Sequence, residues 1–187
     1  MRSVCAGGFA LLGALALPAL SAHAEVVTIC YNYGCYSRAP VDYSEEQLER
    51  LHQMLAAADD ANAERAAISA VIGRMYAIAG EQTPVWRDKG GNYADGGENG
   101  KMDCIDHSTN TTAFLRLLQA RGWLRFHDVL APVMRRRFFF AVHWSARIRE
   151  RETKKVYVVD SWFVDNGRPA VVLPVEDWLA GNTPGVQ

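Results

Sequence analysis

The sequence predicts an α+β fold, with helices in the first part of the chain and an antiparallel sheet in the second. Between residues 44 and 79 apolar side chains recur with the 3.6-residue period of a helix. Beyond Gly122 the chain is rich in Phe, Val and Trp, which favour strands. The two kinds of segment do not alternate as in a parallel βαβ fold, so we expect helices packed on an antiparallel sheet.

The first 24 residues have the pattern of a secretory signal peptide. Arg2 supplies the positive start, residues 9–20 the apolar stretch, and Ala22-His23-Ala24 a small-x-small cleavage site before Glu25. The apolar stretch is too short to anchor the protein stably in a bilayer. We therefore expect an exported protein, periplasmic or secreted, with one domain at 25–187 and no membrane span after cleavage. A retained N-terminal membrane anchor is the alternative.

Length and charge narrow the functional classes. Removal of the predicted signal peptide leaves 163 residues, enough for one domain with a hydrophobic core. These residues carry 19 basic and 21 acidic side chains, a net charge of −2. A chain without a basic excess lacks the electrostatic footprint of a nucleic-acid-binding protein, so no nucleic-acid partner is expected.

The exported part contains three cysteines, which is an odd number. Cysteines in an oxidising compartment tend to pair, and Cys30 and Cys35 are close enough to close a small loop. We predict a disulfide between them, with two free thiols as the alternative. Cys104 has no partner in either case, and an unpaired cysteine in an exported protein needs an explanation.

Three helices are expected before the sheet. A capping box at Ser44-Glu45-Glu46-Gln47 starts the first, and periodic apolar residues indicate a second at 63–79. The third is expected at 104–121, with Asp103 as its N-cap and Gly122 as its C-terminal stop.

Cys104 lies where a glycine-rich loop, residues 80–101, runs into this third helix. So long a loop in a compact domain is either functional or disordered. A helix N-terminus carries partial positive charge and free N–H groups, which favour a thiolate and can hold an oxyanion. We therefore interpret Cys104 as a nucleophile rather than as a buried structural cysteine.

Strands are predicted at 123–129, 137–148, 156–163 and 170–175, with a hairpin turn at 149–154. Pairing His143 with Asp160 centres that hairpin between Arg151 and Glu152, inside the polar turn. This register would place the two side chains directly opposite each other on one face of the sheet. Asp160 would then orient the His143 ring and favour its charged form.

The chain has a cysteine at a helix start, then a histidine on one strand and an aspartate on the next. In this order and layout it resembles the transglutaminase-like superfamily, in particular its bacterial cysteine-proteinase-like members with a papain-like core. The resemblance covers about residues 80–165. It is carried by Asp103-Cys104-Ile105-Asp106, His143-Trp144 and Val159-Asp160-Ser161-Trp162.

The resemblance implies acyl transfer from an amide through a thioester to water or an amine, without a cofactor. Cys104 would be the nucleophile, His143 the general base and acid, and Asp160 the orienting residue. Papain-like relatives use a side chain upstream of the nucleophile in the oxyanion hole, and Asn99 is the nearest upstream amide. Peptides, proteins and peptidoglycan stem peptides remain open as substrates, and the oligomeric state is not predicted. The acidic residues that flank Cys104 oppose thiolate formation.

Three other interpretations compete with an enzyme. The first is a catalytically inactive transglutaminase-like module that binds a peptide or protein partner, since a fold does not certify an activity. The second is a disulfide-exchange role and the third is a zinc site. If there is no zinc site, we expect His107 and His127 to be polar surface or hydrogen-bonded loop residues. The aromatic residues proposed for the binding groove are Trp86, Tyr93, Trp162 and Trp178, and the zinc candidates are Cys104, His107, His127 and His143.

Overall fold

The structure is a computed structural model that describes residues 24–137 and 141–182. Within these ranges the chain folds into α-helices, one short 3-10 helix and two antiparallel sheets, so the predicted α+β class is confirmed. Most of the predicted signal peptide, residues 1–23, lies outside the described residues. In chain order the elements are β1 (Glu25–Tyr31), β2 (Ser37–Tyr43), α1 (Glu45–Ala56), α2 (Ala61–Gln82), the 3-10 helix (Pro84–Arg87), α3 (Cys104–Ala120), β3 (His127–Arg137), β4 (Ala141–Glu150), β5 (Val156–Asp160), β6 (Val171–Pro174) and α4 (Val175–Ala180).

The strands β1 and β2 form a separate hairpin, which the Cys30–Cys35 disulfide closes. Four consecutive residues of its loop, from Asn32 to Cys35, have left-handed backbone angles, with φ between 59° and 66°. Only glycine adopts this conformation without cost, and only one of the four is a glycine. The disulfide and contacts with the start of α3 therefore have to hold the loop in place.

The helices α1 and α2 begin at side-chain caps. Ser44 Oγ accepts the N–H of Gln47 at 3.2 Å, and the Gln47 side chain accepts the N–H of Ser44 at 2.9 Å, which is the predicted capping box. Asp60 caps α2, which is longer than predicted at both ends. The apolar stripes of both helices lie in the core, where each buried leucine or isoleucine contributes roughly 2 kcal/mol. These core residues are Leu48, Leu51, Leu55, Ile68, Val71, Ile72, Met75 and Ile78.

The helix α3 begins at Cys104, as predicted. The Asp103 carboxylate accepts the N–H groups of Ile105 and Asp106, which places Cys104 in the first turn. The helix ends at Ala120, and Gly122 follows it with a left-handed φ of 72°. The helix α3 packs on β4, and this packing places Cys104, at the start of α3, next to the sheet.

The second sheet has the strand order β3–β4–β5–β6, with every neighbouring pair antiparallel. The strand predicted at 123–129 begins instead at His127 and runs to Arg137. Trp123 still belongs to the C-terminal cap of α3, because its N–H donates to the carbonyl of Leu118. The following strand, predicted at 137–148, spans 141–150 instead, since residue 137 belongs to β3. The predicted edge strand with Pro174 is β6, at one edge of the sheet.

The predicted register of the β4–β5 hairpin is wrong by two residues. Ala146 pairs with Val159 and Arg149 with Val156, so His143 does not lie directly opposite Asp160. The difference arises in the turn, where Glu150 bonds to Lys155 across a four-residue loop that includes a left-handed Lys154. A shift by two residues keeps each side chain on its face, so the two residues are diagonal neighbours.

Candidate active site

The His143 ring is hydrogen-bonded to a fully buried carboxylate. His143 Nε2 lies 2.8 Å from Asp160 Oδ2, and only 1% of Asp160 is exposed. The same Oδ2 accepts the indole N–H of Trp178 at 2.8 Å, and Oδ1 accepts the backbone N–H of Trp162 at 3.2 Å. A buried charge is tolerated only with such partners, which also fix the orientation of the carboxylate.

Three aromatic rings surround the His143 imidazole. The ring centroids of Trp162, Phe163 and Trp178 lie 4.9, 5.2 and 5.6 Å from its own, and the side chain is 12% exposed. These rings restrict the imidazole to one orientation and exclude most water from it. The prediction that Trp162 and Trp178 line a binding groove is wrong, because both side chains are buried.

Cys104 reaches the same histidine from the start of α3. The thiol is half-buried and lies 3.9 Å from the carbonyl oxygen of Val142, the residue before His143, and Cys104 contributes to the raised pKa of the His143 ring. Since Nε2 faces Asp160, Nδ1 is the ring nitrogen left for the sulfur. The structure thus brings together the three residues that the sequence singled out.

The electrostatics of the site favour a protonated His143. Burial of the ring lowers its pKa, but the hydrogen bonds and negative charges of Asp160 and Cys104 outweigh burial and raise the pKa from 6.5 to about 9. The imidazole is therefore cationic at neutral pH. A cation next to the sulfur stabilises a thiolate.

The acidic residues that flank Cys104 are bound by the disulfide-closed loop. Gly34 donates its N–H to Asp103 Oδ2 at 3.0 Å, and Cys35 donates its N–H to Asp106 Oδ1. Burial raises the pKa of Asp106 to about 6. These contacts direct both carboxylates towards the loop and reduce the repulsion that the sequence predicts at Cys104.

His107 is buried in a polar network that sequence reasoning missed. Its Nε2 lies 2.9 Å from Asp88 Oδ2 and its Nδ1 lies 2.8 Å from Ser161 Oγ. The interpretation of His107 as a surface or loop residue is therefore wrong. No local pattern reveals this network, because Asp88 and Ser161 are distant in sequence from His107 and from each other.

His127 is also buried, in β3, and not a surface or loop residue. Its Nδ1 lies 2.7 Å from Glu64 Oε2 and its Nε2 3.3 Å from Arg65, so both ring nitrogens have partners other than a metal. Among the described residues, one set of side chains has the spacing of metal ligands, and two of its three members are joined in the disulfide. That set is Cys30, Cys35 and Asp106.

Three predicted residues of the site are exposed. Asn99 accepts a hydrogen bond from the Asn32 side chain at 3.3 Å, and its assignment to an oxyanion hole stays a prediction. Tyr93 is 85% exposed and packs edge-on against Trp162, with the ring centroids 4.7 Å apart. Trp86, the other exposed aromatic residue of the predicted groove, is 60% exposed.

Comparison of the chain with models of known protein families, with curated proteins and with solved structures finds no match. The resemblance to transglutaminase-like proteins therefore stays a prediction that rests on the short motifs around Cys104, His143 and Asp160. In the part of the chain that the structure describes, none of the helices combines the length and the apolar character that crossing a membrane requires.

Proposed function

We propose that this chain is a cysteine-nucleophile enzyme that acts on amide or peptide bonds by acyl transfer through a thioester. The observation that carries the proposal is the position of His143, whose Nε2 hydrogen-bonds to buried Asp160 and whose chain neighbour Val142 has its carbonyl oxygen 3.9 Å from the Cys104 sulfur. A nucleophile, a base within reach of it and a group that orients the base are the elements of a catalytic triad.

In the first half of the reaction the Cys104 thiolate attacks the carbonyl carbon of the amide. The Asp103 carboxylate accepts the N–H groups of Ile105 and Asp106. The N–H of Cys104, at the start of the helix, is then the one that donates to the developing oxyanion. The C–N bond then breaks, and protonated His143 gives its proton to the leaving amine. The products are a free amine, a thioester on Cys104 and a neutral imidazole.

In the second half the neutral His143 accepts a proton from water or from an acceptor amine. The resulting oxygen or nitrogen nucleophile forms a bond to the acyl carbon, the C–S bond breaks, and the sulfur leaves as a thiolate. Asp160 keeps the ring in one orientation through both steps and stabilises its charged form. The chain is thereby returned to its starting state, and hydrolysis or amine transfer follows from the nucleophile that enters.

The proposal extends to the substrate class and the location of the protein. Peptides, proteins and peptidoglycan stem peptides all present the amide bond that this chemistry requires. The pattern of residues 1–24 supports export, so the proposed reaction takes place in the periplasm or outside the cell.

The test is the rate at which iodoacetamide labels Cys104 at pH 6. We expect the wild type to react at least about tenfold faster than free cysteine, because His143 stabilises the thiolate, and His143→Ala to remove this advantage. His52→Ala is the matched control, since His52 lies on α1 and stacks on Trp123 outside the site. Equally slow labelling of wild type and His143→Ala would overturn the proposal and favour the catalytically inactive module.

A further inference from the structure

A second set of three polar side chains lies beneath the candidate active site. Asp88 Oδ2 lies 2.9 Å from His107 Nε2, and His107 Nδ1 lies 2.8 Å from Ser161 Oγ. All three side chains are almost completely buried. The order acid, histidine, serine resembles a catalytic arrangement, but Ser161 Oγ is inaccessible to a substrate, so its role is structural support.

The network is satisfied at both ends. The backbone N–H of Met102 donates to Asp88 Oδ1 at 2.8 Å. Ser161 Oγ lies 2.9 Å from Thr111 Oγ1 and 3.3 Å from Tyr76 OH. Networks of fully paired buried polar groups are rigid, because any displacement leaves an unpaired group in a medium of low dielectric constant.

Each member of the network lies on a segment that carries part of the candidate site. Ser161 directly follows Asp160 at the end of β5, and His107 lies three residues after Cys104, about one turn along α3. Asp88 follows the 3-10 helix and starts the loop that leads to Cys104. The network therefore connects the segment that bears the nucleophile to the segment that bears the orienting carboxylate.

We infer that His107, held by Asp88 and Ser161, is a positioning residue that fixes the distance between the start of α3 and the end of β5. The inference rests on the proposed function, since it concerns the residues that would perform the reaction. His107 acts only through others: it holds α3 at the depth at which the Cys104 sulfur reaches the His143 ring. Small displacements at such a distance have large effects on reactivity.

The test compares Ser161→Ala and Asp88→Asn with the matched control Ser69→Ala. Ser69 lies on α2 and also joins two distant segments, since its Oγ donates a hydrogen bond of 2.6 Å to the carbonyl of Ala170. We expect both network variants to slow iodoacetamide labelling of Cys104 at pH 6 about tenfold and to shift its pH profile, because the thiol no longer meets His143. Ser69→Ala should lose stability and keep both the rate and the profile.

The outcomes separate this inference from the proposed function. If wild type and His143→Ala label equally, the proposed function fails and the inference fails with it. If His143→Ala slows labelling but the network variants match Ser69→Ala in rate and profile, the inference alone is overturned. Asp88→Asn keeps the shape of the side chain and an acceptor for Met102, so it tests the inference should Ser161→Ala not fold. If neither folds while Ser69→Ala does, the network serves global stability and the inference is wrong.

Discussion

At the scale of single residues, the burial and the hydrogen bonds of one carboxylate, that of Asp160, determine the protonation of the candidate site. Asp160 ends an apolar strand, where a charge is costly, and it is compensated by His143, Trp178 and a backbone N–H. The compensation is reciprocal, because the carboxylate, together with Cys104, raises the pKa of His143 to about 9 against the effect of burial. The stability of the fold and the protonation of His143 therefore depend on the same pair.

Asp160→Asn should destabilise the protein in a pH-dependent way. Since the pKa of His143 rises from 6.5 to about 9 on folding, the pair stabilises the fold fully below about pH 6.5 and loses this contribution as the pH rises through 9. We expect a loss of about 3 kcal/mol in the free energy of unfolding at pH 6 and a clearly smaller loss at pH 10. Urea unfolding at the two pH values measures the difference.

The control for this variant is Asp128→Asn. Asp128 forms partly exposed ion pairs with Arg149 and Arg151, and its pKa is lowered although burial acts to raise it, mainly because those arginines hydrogen-bond to it. The expected cost is below about 1 kcal/mol and equal at pH 6 and pH 10. A loss from Asp160→Asn that is the same at both pH values would contradict the assigned protonation of His143.

At the scale of elements, the N-terminal hairpin and α3 form one unit around Cys104. The loop from Asn32 to Cys35 donates backbone N–H groups to Asp103 and Asp106, on either side of Cys104. Its left-handed backbone is unfavourable for three of its four residues, so the loop depends on the Cys30–Cys35 closure. The disulfide thus closes the loop whose N–H groups bind the two carboxylates that flank Cys104.

Replacing both Cys30 and Cys35 by serine should therefore slow the labelling of Cys104. Without the closure the loop relaxes, and the carboxylates lose donors that offset their charge. We expect a roughly fivefold lower iodoacetamide rate at pH 6, equivalent to about 1 kcal/mol, in addition to a lower melting temperature. Mass spectrometry of the labelled protein measures the rate at Cys104 itself. A lower melting temperature with an unchanged rate would show that the hairpin supports the fold alone.

At the scale of the whole molecule, local signals predicted most of the architecture. The Asp103 cap and the Gly122 stop located α3, and the capping box at Ser44 located α1. The sequence missed most of β3, where Pro132 and consecutive arginines do not favour a strand. The structure tolerates them because β3 is an edge strand with an irregularity between Leu130 and Val133.

The candidate site was predictable where it depends on local order and not where it depends on long-range packing. The side-chain alternation placed His143 and Asp160 on one face, but the register failed because no glycine marks the left-handed Lys154. The partnership of His107 with Asp88 and Ser161 joins residues far apart in the chain, so it emerges only from the fold. The burial of Trp178 against Asp160 has the same origin.

The most direct test of the coupled site is an NMR titration of His143 in the wild type and in Cys104→Ser. The resonance can be assigned by its absence in His143→Ala. We predict a pKa of about 9 in the wild type and a lower value in Cys104→Ser, because a serine hydroxyl does not ionise and cannot make the electrostatic contribution by which Cys104 raises the pKa of His143. A His143 that titrates near 6.5 in both proteins, or at the same pKa in both, would contradict the account.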